Sequence, residues 1–254
     1  TVDQNNRSRF GRYRTAVSRE FSSLRSPSLF VTKQQPPINN SVMMAATKRA
    51  LALIARGSEE MELVITVDVL RRCNVEVTVA LVQEAEGTAA GNTEPLVACC
   101  SRGVNVKADT TLQAYVEQQA ATDDGLPDAI ILPGGLEGAK AMAQAPAVGA
   151  LLERQARVGK LVAAICAAPT VLAAHGKLFA GRRLTSYPSF REKLQADGYR
   201  WEEPAAGGLG RVVRDENLIT SLGPATTFDF GLAIGAALVG QEVADKVAAG
   251  LLYK

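Results

Sequence analysis

The sequence predicts an α/β fold in which a mostly parallel sheet carries helices on both faces. From residue 48 onward, apolar runs of strand length alternate with segments of helical period, and Gly, Pro or Asp turns separate them. The strand candidates are nearly continuous in apolar residues, which is typical of strands covered on both faces. Alternating strands and helices of this kind build one layered domain, which we assign to residues 45–254.

The elements before residue 136 are predicted from clear local signals. "RALALIA" is an unbroken apolar run, "EEMELVITVDVLRR" has acids at its start as a helix prefers, and "VEVTVALV" is rich in β-branched residues. These three segments predict a strand over 49–55, a helix over 59–72 and a strand over 75–82. The two segments that follow predict a small hairpin over 97–109 and a strand that runs into a glycine turn over 128–135.

The elements after residue 144 continue the alternation. "APAVGALLERQARVG" predicts a helix over 145–159, "LVAAI" a central strand, and "AAPTVLAAHG" a helix that stops at Gly176. "NLITS" and "ATTFDFGLAIGAALVG" then predict a strand over 217–221 and a helix over 225–240.

Residues 1–44 differ from the rest of the chain. They contain seven basic and two acidic residues, are rich in Ser, and lack strand or helix periodicity. Two interpretations stay open: a mitochondrial transit peptide, whose composition the segment shares, or a disordered N-terminal extension. Neither contributes to the fold.

Composition excludes several classes of function. Beyond residue 44, 21 basic and 24 acidic residues give a net charge of −3, without the basic stripe of a nucleic-acid binder. No apolar run reaches the ~18 residues of a membrane span. The four cysteines show neither metal-ligand nor disulfide spacing, and a single histidine excludes a histidine-rich metal site. This cysteine usage favours a reducing compartment.

Cys166 lies between the strand "LVAAI" and the helix that contains Pro169. In open α/β sheets, ligands bind beyond the carboxyl ends of the strands, where this turn should meet "ARGSEEMEL" and "LPGGLEG". A thiol there faces the positive end of a helix dipole, which lowers its pKa and favours the thiolate. The alternative is a structural cysteine, because free Cys is often buried as a small hydrophobe.

The single histidine, His175, is not a partner for this thiol. It lies nine residues further along the same predicted helix, which corresponds to roughly 13 Å at ~1.5 Å per residue. A Cys-His peptidase is therefore disfavoured. We expect His175 to lie in the last helical turn, where a donor complements the carbonyl end.

Three acids stand at the start of the helix over 59–72. Glu59 and Glu60 fit solvated first-turn positions. Glu62 differs, because a carboxyl in apolar surroundings has a raised pKa and can donate a hydrogen bond to a thiolate or relay a proton. A solvated glutamate is the alternative. The apolar helix wall expected around it consists of Met61, Val64, Ile65 and Val69.

The glycine turn at 133–135 is a third candidate for the site. If it faces Cys166, its bare amides and the amide of Ala167 form an oxyanion hole. A tight turn without a chemical role is the alternative. The sequence lacks the G-x-G-x-x-G and Walker patterns, which disfavours nucleotide binding.

From about Lys48 to its end, the chain resembles the DJ-1/PfpI superfamily and, within it, the animal DJ-1 proteins. The resemblance implies a flavodoxin-like three-layer sandwich that homodimerises and uses neither cofactor nor metal. It rests on six segments: "KRALALIARGSEEMELVITVDVLRR", "CSRGVNVKADTTL", "ILPGGLEGA", "LVAAICAAPTVLAAHG", "LTSYP" and "NLITSLGPATTFDFGLAI".

The resemblance also assigns roles to residues. Cys166 matches the nucleophilic, oxidation-sensitive cysteine, and Glu62 matches the glutamate that hydrogen-bonds its thiol. Gly135 and Ala167 match the oxyanion-hole amides. The residues that we expect to contact substrate are Tyr187, Arg102 and Gly134.

Two departures from the family pattern affect substrate anchoring. Tyr187 stands where many members have a histidine, and Leu222 stands where the vertebrate pattern has an arginine that could bind an anion. Tyr187 retains a hydroxyl that can donate a hydrogen bond to substrate.

The function implied by the resemblance is that of a cofactor-independent glyoxalase and protein deglycase acting on methylglyoxal and early glycation adducts, with a role in the oxidative-stress response. The alternative is a redox-sensing chaperone whose cysteine is oxidised to a sulfinate. The expected partners are small dicarbonyl or glycated substrates and a second copy of the chain, without nucleic acid or membrane. The expected location is the cytoplasm, with mitochondria and nucleus left open.

Overall fold

The computed structural model describes residues 46–83, 96–203 and 211–253. The expectations for residues 1–44 lie outside the described residues. None of the described helices is long and apolar enough to cross a membrane.

The strands of the described chain are β1 (Arg49–Ile54), β2 (Glu76–Leu81), β3 (Val97–Cys99), β4 (Asn105–Lys107), β5 (Thr110–Thr111), β6 (Ala129–Leu132), β7 (Leu161–Ile165), β8 (Arg183–Leu184), β9 (Arg200–Trp201), β10 (Val212–Asp215) and β11 (Leu218–Ser221). Seven of them form the main sheet, in the order β10-β11-β7-β6-β1-β2-β5, whereas β3 pairs with β4 and β8 with β9. All neighbouring pairs of the main sheet are parallel except β10 with β11.

Helices cover both faces of this sheet, as predicted. Alternate residues of β1 point into two separate cores: Leu51 packs with the helices around 112–172, and Ala52 packs with those around 63–73 and 230–234. The helices are α1 (Glu60–Arg72), α2 (Leu112–Gln118), α3 (Leu136–Gln144), α4 (Pro146–Arg157), α5 (Pro169–Ala174), α6 (Arg191–Ala196), α7 (Thr227–Val239) and α8 (Gln241–Gly250).

Several elements were not predicted. They are short or rich in small residues, so their periodic signal is weak. In α3, Gly138 looks like a turn residue, but it lets the helix approach the backbone of Ser58, because a Cβ there would lie 2.6 Å from the Ser58 Cα. The elements missed are β5, α2, α3, the two-stranded sheet of β8 with β9, α6, the antiparallel edge strand β10, and α8.

The parallel register brings several turns to one edge of the sheet. β1, β6, β7 and β11 all end at this edge. The three turns singled out in the sequence therefore do converge, and the turn after β11 joins them.

Candidate active site

Cys166 forms a sharp elbow between β7 and α5. Its backbone is left-handed, with φ of 61°, a conformation that a residue with a side chain adopts only when the surroundings hold it there. The Cys166 amide donates to the carbonyl of Ser221 at 3.0 Å. The Cys166 carbonyl accepts from the Tyr187 amide at 3.0 Å and from the Ser186 hydroxyl.

The glycine turn packs directly against this elbow. A Cβ at Gly134 would lie 2.7 Å from the Cys166 Cβ and 2.9 Å from the Ala167 amide nitrogen. Gly135 has φ of 81°, and a Cβ there would lie 2.3 Å from the Gly57 carbonyl oxygen. Both positions need glycine so that the turn can reach the thiol.

Glu62 is completely buried beside the same turn. The Gly134 amide donates to its Oε2 at 2.7 Å, so the amide expected for substrate is already engaged by Glu62. The other oxygen, Oε1, makes no well-formed hydrogen bond within the described part of the chain, although the Cys166 thiol is close enough to lower the pKa of Glu62.

The apolar wall expected around Glu62 is wrong in part. Met61 and Val64 are each 49% exposed. At 100° per residue, they point away from the face of α1 that carries Glu62. Val69, which was expected in this wall, does lie on that buried face, together with Thr66 and Cys73, and all three follow Glu62 at helical spacing. Burial of Glu62 therefore comes from the glycine turn and the Cys166 elbow that pack against it rather than from Met61 and Val64.

The pKa values of Glu62 and Cys166 are coupled. Burial, joined by the charge of Glu59, raises the pKa of Glu62 to about 7, against the lowering effects of the Gly134 amide and the Cys166 thiol. Burial and the adjacent ionised Glu62 raise the pKa of the Cys166 thiol to about 12. Above about pH 7 the pair therefore carries a single negative charge, which resides on Glu62, and below that pH both groups are protonated.

The expectation of a lowered thiol pKa is thus wrong, because burial and Glu62 both raise it. α5 has only six residues and begins three positions after Cys166, so its dipole is small. Two backbone amides do favour the thiolate. Gly135 and Ala167 both hydrogen-bond to the Cys166 side chain and lower its pKa, but they do not offset burial and Glu62.

The two other acids at the start of α1 hold the surrounding loops. Glu59 caps the helix by accepting from the Glu62 amide at 2.8 Å. Glu60 was expected to be solvated, but it is buried, because the β3–β4 hairpin folds over it. Its carboxylate accepts from the Ser101 hydroxyl and from the Arg102 amide, each at 3.0 Å.

An open pocket of about 1190 Å³ gives access to the elbow. Cys166 lines it together with Gly135, Ala167, Arg102 and Tyr187. The sulfur is therefore reachable from solvent through the pocket. The Tyr187 side chain is half-exposed, and a Cβ at Gly223 would lie 3.8 Å from its ring and 3.9 Å from the Cys166 Sγ.

His175 is remote from this thiol, as predicted. It ends α5, and its Nε2 lies 3.0 Å from the Met142 carbonyl oxygen of α3 rather than against a carbonyl of its own helix. Its ring packs on Gly149, where a Cβ would lie 2.4 Å from the Nδ1. The imidazole thus joins α3, α4 and α5.

Two residues that support Cys166 were missed in the sequence. Ser186 and Ser221 hold its backbone from the segments after β8 and at the end of β11. Neither has a local signal, since each contact joins positions more than 15 residues apart. The position of both segments beside the carboxyl end of β7 was the only available clue.

Comparison with known proteins agrees with this architecture. The family model described as the DJ-1/PfpI family matches residues 48–237. Protein dj-1beta of Drosophila melanogaster is 44% identical over 81% of this chain and 97% of its own length. The Parkinson disease protein 7 homolog of Danio rerio is 43% identical over 82% of this chain and 99% of its own.

Two further relatives add structural and functional context. The crystal structure of Drosophila DJ-1beta superposes with a TM-score of 0.70 at 42% identity, covering 82% of this chain and 99% of that one, so the flavodoxin-like sandwich is confirmed. A Caenorhabditis elegans relative named glutathione-independent glyoxalase is 35% identical over 78% of this chain and 93% of its own length.

Proposed function

The chain belongs to the DJ-1/PfpI family, and on this premise we propose that it is a glyoxalase and protein deglycase that needs no cofactor. Cys166 is the proposed nucleophile, and α-oxoaldehydes such as methylglyoxal are the proposed substrates. One observation carries the proposal: a buried carboxylate and two backbone amides meet a single thiol that lines an open pocket. The glyoxalase name of the C. elegans relative supports it.

The first step follows from where the charge resides. Above about pH 7 Glu62 is ionised and Cys166 is a thiol, so Glu62 accepts the thiol proton as the sulfur attacks the aldehyde carbon. A sulfur–carbon bond forms, and the carbonyl π electrons move to oxygen. The amides of Gly135 and Ala167, which already point at the sulfur, are placed to donate to that oxyanion.

The following steps are redox-neutral within the substrate. Glu62, now protonated, delivers its proton to the oxyanion and gives a hemithioacetal. It then carries a proton from the former aldehyde carbon to the neighbouring ketone carbon, with a compensating proton shift between the oxygens, so that a thioester of a 2-hydroxy acid results. Water cleaves the sulfur–carbon bond, and the products are lactate and the free Cys166 thiol.

Lactate formation from methylglyoxal in the absence of glutathione tests the proposal. Cys166→Ser should lose activity at least about a thousandfold, since the nucleophile itself is replaced. Cys73→Ala is the matched control, because it removes a buried cysteine that does not line the pocket. Activity of Cys166→Ser at the wild-type level would refute the mechanism.

The size of the pocket supports the deglycase part of the proposal. A pocket of about 1190 Å³ is far larger than a three-carbon aldehyde needs, so an amine or thiol adduct has room beside the reacting carbon. Release of a free amine from a glycated peptide, measured alongside lactate, tests this part. A deglycase role is contradicted if only free methylglyoxal is consumed.

A redox-sensing role is the second candidate. Cys166 is half-buried and lines the pocket, and a protonated Glu62 beside it can donate a hydrogen bond to a sulfinate oxygen. Cys73 and Cys100 are buried. Peroxide titration followed by peptide mass measurement tests this role, which fails if Cys166 is oxidised no faster than Cys73.

We also propose that two copies of the chain associate. Met61 and Val64 on α1, each 49% exposed, and Val104 on the β3–β4 hairpin, 50% exposed, are large apolar side chains near the Glu60 contact that joins these elements. Burial against a second copy would remove them from water. Met61→Glu should lower the molar mass in solution to that of one chain, and an unchanged mass would contradict this interface.

A further inference from the structure

We infer that Ser186 is a positioning residue for Cys166: its hydroxyl holds the Cys166 carbonyl and thereby keeps the left-handed elbow that aims the sulfur at the amides of Gly135 and Ala167. This rests on the proposed function in one respect, since it takes Cys166 as the nucleophile.

The first observation is the backbone of Cys166 itself. Its φ of 61° is unfavourable for any residue with a Cβ, so contacts around it must keep it there. The peptide groups of Cys166 make three such contacts. The amide donates to Ser221, and the carbonyl accepts from the Ser186 hydroxyl and the Tyr187 amide. Ser186 is the only one of these partners among the described residues that acts through its side chain.

The second observation is that Ser186 is itself firmly held. It is completely buried, and so is Thr185 before it. The Thr185 amide donates to the Thr220 hydroxyl on β11 at 2.9 Å. The Leu184 carbonyl accepts from the Glu202 amide at 2.9 Å. A hydroxyl on a segment fixed in this way can restrain Cys166 rather than merely follow it.

The third observation is how little space the elbow has. The Cys166 Cβ faces Gly134 so closely that a methyl group there would lie only 2.7 Å away. The Cys166 carbonyl and the Ala167 amide belong to one planar peptide group, so if the carbonyl turned, this amide would turn away from the sulfur with it. The Ala167 amide, which lowers the pKa of the thiol, would then lose its contact.

Alkylation of Cys166 by iodoacetamide tests the role without any assay of glyoxalase activity. The rate at Cys166 is measured by peptide mass across neutral and alkaline pH, on the full chain. Ser186→Ala should slow alkylation roughly fivefold to tenfold, as expected for one lost hydrogen bond, and shift the pH profile to higher pH. Ser186→Thr keeps the hydroxyl and should restore both.

Thr227→Val is the matched control. Thr227 is also completely buried, and its hydroxyl donates to the Pro224 carbonyl at 2.7 Å. This variant should lose a comparable amount of stability while its Cys166 alkylation stays at the wild-type rate. Equal slowing in Thr227→Val and Ser186→Ala would overturn the inference, as would an unchanged or faster rate in Ser186→Ala.

A second pair of variants covers the case in which Ser186→Ala does not fold. Tyr187 has φ of −57°, which proline adopts. Tyr187→Ala removes the side chain, whereas Tyr187→Pro removes both the side chain and the amide donor, so the difference between the two variants reports on the amide. Slower alkylation in Tyr187→Pro than in Tyr187→Ala supports the restraint on the Cys166 carbonyl, and equal rates overturn it. If wild-type Cys166 reacts no faster than the half-exposed Cys99, the proposed function fails instead.

Discussion

Two cysteines in this protein are packed against glycines, and polar groups act on the sulfur of only one of them. Cys166 lies against Gly134 at the carboxyl edge of the sheet, and Cys73 lies against Gly235 of α7 at the far end of α1. Burial raises the pKa of both thiols. Burial therefore does not distinguish a reactive cysteine from a structural one.

The difference lies in the neighbouring polar groups. Cys166 has the carboxylate of Glu62, two backbone amides and an open pocket, whereas burial alone acts on the pKa of Cys73. Glu62 and Cys73 even share one buried face of α1. A carboxyl group placed beside the thiol, with two backbone amides that hydrogen-bond to the sulfur, is what separates the two regions.

Removing the proton acceptor should have the largest effect. Glu62→Gln keeps the shape of the side chain but cannot accept the thiol proton, so kcat/KM for lactate formation should fall about 100-fold to 10,000-fold. The control is Asp68→Asn, which alters an exposed acid of the same helix that pairs with Arg72. A loss of less than about threefold in Glu62→Gln would show that Cys166 needs no acceptor there.

The pH dependence of stability should also separate the two regions. Folded Glu62 keeps its proton up to about pH 7, well above the ordinary value of 4.5 at which the unfolded chain releases it. The folded state thus binds the extra proton between these values, and the free energy of unfolding should fall by roughly 3 kcal/mol as pH rises through them.

Urea unfolding at pH values below and above this window measures the effect. The comparison is between wild type and Glu62→Gln, because other groups titrate equally in both chains. The variant should lack this part of the pH dependence. Parallel curves for the two proteins would show that Glu62 is not protonated in the folded state near pH 6.

Within the Cys166 region, the sequence predicted the turn that carries the cysteine much better than the surroundings of Glu62. The turn with Cys166 was located because "LVAAI" and "PGG" are local signals, and parallel strands must end at a common edge. The burial of Glu62 depends on its packing against the distant glycine turn, which no local pattern gives. Because Met61 and Val64 are apolar, they looked like its wall, although they point outward.

The charge state of the site was beyond sequence-based prediction for a physical reason. A pKa depends on desolvation and on neighbours within a few ångströms, and Glu62 and Gly134 are 72 positions apart. Helix dipole reasoning applied to Cys166 alone predicted a thiolate. It omitted burial and the charge of Glu62, which both act in the opposite direction.

Adding a methyl group at Gly134 and at Gly235 should show how differently the surroundings of Cys166 and Cys73 tolerate a change in packing. Gly134→Ala would place a Cβ within 3 Å of the Cys166 Cβ, the Glu62 Oε2 and the Ala167 amide, so backbone must move. Gly235→Ala would place it 2.8 Å from the Cys73 Sγ, the end of one side chain. We expect about 3 kcal/mol of lost stability and loss of activity at Gly134, against about 1 kcal/mol and retained activity at Gly235.

A double-variant cycle checks the cause at the structural cysteine. Cys73→Ala in the Gly235→Ala background vacates the space that the new methyl group needs, so the two changes together should cost less than their sum. Urea unfolding of the four proteins gives this coupling. Additive costs would show that Gly235 is needed for the backbone of α7 rather than for the thiol of Cys73.

The smallest expected effect concerns Cys73 by itself. Because its sulfur contributes packing and no charge, Cys73→Ala should lower the free energy of unfolding by about 1 kcal/mol, close to the value of one buried methylene-sized group. Lactate formation and alkylation of Cys166 should stay at wild-type rates, since Cys73 lies at the far end of α1 and does not line the pocket. If activity fell together with stability, the buried face from Glu62 to Cys73 would transmit packing changes to the carboxylate, and the two regions would have to be treated as one.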